Sequence, residues 1–66
     1  MIEVGTLVRV LYPDYAAGKL GYIEGREEES GRWIVRVEQS LLYREDESFL
    51  LSLKESEFEE IEDHRL

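Results

Sequence analysis

The sequence predicts an all-β domain, a single small five-stranded barrel with a short helical turn before its last strand. Three observations predict it. Apolar and polar residues alternate with a period of two in several short runs. Glycines and a single proline punctuate those runs where tight corners would fall. Finally, 66 residues fit one domain, which at this size buries only about 60% of the surface its unfolded chain exposes, so short strands around a thin core suffice.

The first strand is expected from about Thr6 to Tyr12, where Val8, Val10 and Tyr12 alternate with Leu7, Arg9 and Leu11. Pro13 and Asp14 stop it. Proline removes a ladder donor and aspartate favours turns, so 13–18 is a surface loop whose Gly18 is free to take a positive φ. A second strand, about Leu20 to Arg26, contains Gly21 and Gly25, which suit a corner, a bulge or a close backbone crossing. The polar stretch Glu27-Glu28-Glu29-Ser30-Gly31 then reads as a hairpin loop.

Arg32 to Glu38 gives the clearest strand, with Trp33, Val35 and Val37 on one face and Arg32, Ile34, Arg36 and Glu38 on the other. Gln39 to Glu47 has no clean period and is expected to be a long loop with an apolar foot at Leu41-Leu42-Tyr43. Ser48 to Leu53 alternates again. Glu57 to Glu62, with Phe58 and Ile61 among acids, is a short closing strand entered through a helical turn. The rival for this region is a helix, because Ser52 followed by Glu55 fits a capping box. The domain is expected to span 1–62, leaving 63–66 as a frayed tail.

Composition narrows the function classes. Without cysteine there is neither a disulfide framework nor a thiolate zinc site. The longest apolar runs, such as Phe49-Leu50-Leu51, are far short of the roughly 20 residues that span a bilayer, and the N-terminus lacks the pattern of a secretory signal. A cytoplasmic location is expected. Sixteen acids against eight bases leave a net charge of −8, which opposes binding to phosphate backbones. Residues 1–37 carry six acids and five bases, and 38–66 carry ten acids and three bases, so the second part contributes −7 of the −8.

Two segments carry a resemblance. Gly5-Thr6-Leu7-Val8-Arg9-Val10, a loop, and Gly18-Lys19-Leu20-Gly21-Tyr22-Ile23 together resemble the KOW pattern of SH3-like barrels. The stretch Leu53 to Ile61 resembles the closing segment of small SH3-like proteins of photosynthetic electron-transfer complexes: the small SH3-like subunit of photosystem I, the variable chain of ferredoxin–thioredoxin reductase, and the ferredoxin-docking subunit of the NADH dehydrogenase-like complex. This resemblance implies an SH3-like barrel acting as a small accessory subunit, with peripheral association to a membrane complex among its settings. The KOW half implies RNA binding as the alternative. Ferredoxin is itself acidic, so the acid surplus opposes direct ferredoxin docking.

Candidate residues divide into two groups. Tyr12, Tyr15 and Leu41, Leu42, Tyr43 are large apolar side chains in segments expected to be exposed, the usual mark of a protein contact. Val10-Leu11-Tyr12-Pro13-Asp14-Tyr15 also resembles the Ala-Leu-Tyr-Asp-Tyr motif of peptide-binding SH3 domains, with a proline inserted and without their paired tryptophans. Arg9, Lys19, Arg32 and Arg36 could gather into a basic patch, or simply pair with Glu24, Glu27 and Glu38 across the sheet.

Trp33 is read as core, with a binding hot spot as the other reading. His64 lies in the tail and is read as solvated, because a catalytic or metal-binding imidazole needs an orienting partner. The carboxylates lack calcium-loop spacing, and the five serines have no partner base in the body of the chain. No enzyme activity, cofactor or metal is therefore expected. The expected partner is a protein rather than a nucleic acid, and the expected state is a monomer or weak homodimer.

Overall fold

The computed structural model describes residues 2–38 and 48–61. Among these residues five antiparallel strands form one sheet: β1 (Leu7–Val10), β2 (Leu20–Arg26), β3 (Trp33–Glu38), β4 (Ser48–Leu53) and β5 (Phe58–Glu60), in the order β4-β3-β2-β1-β5. The fold is all-β, and its only helical pieces among the described residues are single 3₁₀ turns at Asp14–Ala16 and Glu55–Glu57. The second lies before the last strand, as expected. No described helix is long and apolar enough to cross a membrane.

The period of two does what it should. Val8, Val10, Ile23, Trp33, Val35, Val37, Leu53 and Phe58 turn to one face and form a single buried cluster with Ala16. Ile2, Phe49 and Leu51 pack against its margin, so Leu51, which the alternation of 48–53 turns inward with Phe49 and Leu53, is only half-buried. Edge position explains this: β4 has a neighbour on one side alone among the described strands, and less of its inner face is covered. Trp33 is buried as read from its phase.

β1 is shorter than its sequence pattern. Leu11 and Tyr12 leave the sheet because both of their N–H groups donate to the Glu57 carbonyl, at 2.8 and 3.2 Å, and a cis Tyr12–Pro13 peptide follows. The chain returns through Gly18 at φ 89°, which donates to the Val10 carbonyl and sets the β1–β2 hairpin. β2 keeps its expected bounds and carries the irregularity its glycines suggested: the register against β3 shifts between Ile23 and Gly25. The helix rival fails. Ser52 stays in β4, and the 3₁₀ turn is instead held by the Glu57 carboxylate accepting the Lys54 N–H at 2.8 Å.

Topology curls the sheet. β4 and β5 lie at opposite ends of the strand order, a separation of about 19 Å for a flat sheet at ~4.8 Å per step. Only Lys54 to Glu57 join them, and three of those residues are wound into a 3₁₀ turn that rises about 2 Å per residue. The edges must therefore approach each other. No ladder joins β4 to β5, so among the described strands the sheet is not closed. The expected long loop 39–47 and the tail 63–66 lie outside the described residues.

Candidate functional site

The candidate bases sit on the outer face or rim of the sheet, and three of the four are occupied. Arg9 is in register with Glu59 across β1 and β5, and its Nη1 donates to the Glu59 carboxylate at 2.8 Å. Arg36 donates from Nε to Glu24 at 2.5 Å and from Nη1 to the Ser48 hydroxyl at 3.0 Å. Arg32 donates to the Ser52 carbonyl at 3.3 Å and lies 3.8 Å from the Glu57 carboxylate. Lys19 makes no ion pair among the described residues. Arg26 lies 4.8 Å over the Trp33 ring, whose Nε1 donates to Glu55 at 3.3 Å.

Arg9 and Arg36 are thus each paired across the sheet, because the strand order brings Glu59 and Glu24 beside them. Of the expected acceptors only Glu24 takes an arginine in a hydrogen-bonded ion pair; Glu27 instead accepts from the hydroxyls of Ser30, at 2.6 Å, and Ser52, at 3.1 Å. These contacts hold both acids below the ordinary glutamate value of 4.5. For Glu24 the main cause is the Arg36 hydrogen bond, and for Glu27 it is the Ser30 hydroxyl followed by that of Ser52. Glu24 in turn raises Arg36.

A carboxylate whose folded value is depressed adds stability above its unfolded value and loses it as pH falls through the folded one. The stability difference between the wild type and Glu24→Gln is therefore expected to be largest near neutral pH and to shrink below about pH 4.5. Melting temperatures of the two proteins across a pH series measure it. A difference independent of pH would remove the Arg36–Glu24 pair from the account.

The aromatic candidates lie on the loop after β1. Tyr12 is 57% and Tyr15 69% exposed, and Leu11 beside them is also exposed. The Tyr15 ring leans toward the half-buried Phe49 of β4, with centroids 6.4 Å apart. Leu41, Leu42 and Tyr43 lie outside the described residues.

A second apolar feature emerges only with the strand order. On the outer face, register places Leu7, Tyr22, Arg36 and Leu50 in one row across four strands, and Leu20, Tyr22 and Leu50 are exposed. Alternation carries its signal: Tyr22 and Leu50 fall on the phase opposite to the core residues of β2 and β4. Among the described residues no group of three His, Cys, Asp or Glu side chains is placed to hold a metal ion, and no polar side chain is buried. Comparison with protein-family models, with curated proteins and with solved structures gave no match.

Proposed function

We propose that the chain is a non-catalytic protein-interaction module on an SH3-like barrel, serving in the cytoplasm as a small accessory subunit or regulator of a larger complex. One observation carries the reading: exposed Leu11, Tyr12 and Tyr15 share one loop, while Arg9, Arg32 and Arg36 face glutamates. Exposed aromatics on a short loop supply contact area to a protein partner. Arginines already facing carboxylates have less to offer phosphates, and the net charge of −8 repels a polyanion beyond that.

Two measurements test it. In fluorescence-anisotropy titrations with mixed single-stranded RNA and duplex DNA, no submicromolar binding is expected at about 150 mM salt. Tight binding that weakens with Arg32→Glu or Arg36→Glu would make a KOW-type nucleic-acid function the better reading. In affinity capture from the native organism, a protein retained by the wild type and by Glu28→Ala should be lost with Tyr12→Ser/Tyr15→Ser. A retained partner indifferent to that double change would move the site away from the loop.

A further inference from the structure

β1, β2, β3 and β5 each contain a charged residue. β4 does not. Its six residues, Ser48-Phe49-Leu50-Leu51-Ser52-Leu53, include no Lys, Arg, Asp or Glu, no proline and no glycine, yet it stands at an edge of the sheet. Edge strands ordinarily avoid pairing with other chains by being short, charged, bulged or covered. The opposite edge follows that rule, since β5 has three residues and two of them are Glu59 and Glu60. Among the described residues no strand covers the far side of β4, and its outward-facing Leu50 is 51% exposed.

We propose that β4 is a self-association edge, pairing antiparallel with β4 of a second copy about a two-fold axis at Leu50. Independently of the loop-based reading above, three features select a second copy as the occupant. A two-fold interface must be complementary to itself, and directly opposite residues of an antiparallel pair share a face. Centring the axis on Leu50 sets Leu50 against Leu50 and Ser48 against Ser52 on the outer face, and Phe49 against Leu51 on the inner one. The chemistry matches itself from Ser48 to Ser52, with Leu53 lying beyond the matched pairs, and the exposed Leu50 and half-buried Leu51 both gain cover.

Centring on Leu51 would instead place Leu50 against Ser52 and set Phe49 against Leu53, which is already buried. Charge gives the third reason. Two copies carrying −8 each repel over most approaches, and a strand with no charged residue of its own sets no β4 carboxylate against another; the charges bonded to it are Arg36 at Ser48 and Glu27 and Arg32 at Ser52. The interface is small, below about 1,200 Å², which belongs to weak or transient pairs, and the residual repulsion makes it stronger as salt rises.

Sedimentation equilibrium from micromolar to millimolar protein should show the mass rising from 7.8 kDa toward twice that value, with a larger rise at high salt. Leu50→Lys, folded by circular dichroism, should stay monomeric. Because the chain has no cysteine, Leu50→Cys reports the register directly. Opposed Cα atoms in such a pair lie about 4.5–5.5 Å apart, inside disulfide reach, so Leu50→Cys should form disulfide dimers at least about tenfold faster than Glu28→Cys at the hairpin tip. A monomer at millimolar concentration, a dimer that survives Leu50→Lys, or equal cross-linking of the two cysteine variants would each overturn the proposal.

Discussion

Gly21→Val is expected to abolish the folded state, and Gly21→Ala to cost about 3 kcal/mol, the upper part of the range for overpacking a core. Gly21 lies in β2 between Val8 of β1 and Val37 of β3, on the face that carries the core. A Cβ there would stand 2.5 Å from the Arg36 carbonyl oxygen and 3.0 Å from a methyl of Val35. The first neighbour is backbone held in the central ladder, so it cannot swing aside. Room can come only from separating β2 and β3, the pair on which both halves of the sheet depend.

At roughly 0.05–0.15 kcal/mol per residue, a 66-residue chain has a total stability of about 3–10 kcal/mol, so the alanine alone removes a large part of it. Gly25, four residues on, is the control. Its Cβ would meet nothing within 4 Å and its φ is not positive, so Gly25→Ala should stay within about 1 kcal/mol of wild type. Urea unfolding of the three variants decides it. Equal losses at the two glycines would mean that β2 and β3 are not as close as described.

The contrast between these glycines shows where the sequence is readable and where it stops. Both are legible as departures from a flat strand, but which one marks a close crossing depends on what lies across the sheet. The bounds of β4 follow from alternation and those of β2 from the turn residues on either side, because side-chain period and turn chemistry are local properties. The pattern of β1 overruns its true end by Leu11 and Tyr12, since the alternation continues while the Glu57 carbonyl, 46 and 45 positions away, takes both N–H groups.

Ala16 reaches the core from a loop, where a lone alanine has no period to betray it. The arginine partners divide in the same way. Glu24 is within view because β2 and β3 form a hairpin, whereas Glu59 meets Arg9 only because β5 returns to the far side of β1. The candidate surface is half legible: Tyr15 lies in the segment the proline marks as loop, with Tyr12 at the end of the first strand's pattern just before it, but the exposure of β4 as an edge exists only once strand order is known.

Val35→Ala is expected to destabilise the fold by about 2 kcal/mol, from lost apolar transfer and from the cavity left behind. Val35 is 0% exposed and central in two senses. It is in register with Ile23 on one side and Leu51 on the other, and it sits midway along β3, which pairs with both neighbours over nearly its full length. Ile23 and Val37 beside it are buried and stiff at χ1, so the space refills poorly from β2 and from β3 itself. Trp33, the single tryptophan, lies two residues away on the same face and is buried, so its fluorescence follows unfolding without a label. In urea the variant's midpoint should fall while the slope stays that of the wild type, the signature of a stability change rather than of an altered unfolded state. Ile34→Ala, one residue earlier on the outer face and only half-buried, should cost less. A loss within about 0.5 kcal/mol at Val35, the range of surface positions, would place it outside the core and reverse the phase of β3. Reversing that phase would carry Trp33 and Val37 outward and bring Arg36 in with its charge, and the Arg36–Glu24 pair would have to break. The size of one cavity of two methyl groups thus tests the inner face and, through the strand's alternation, the ion pairs of the outer one.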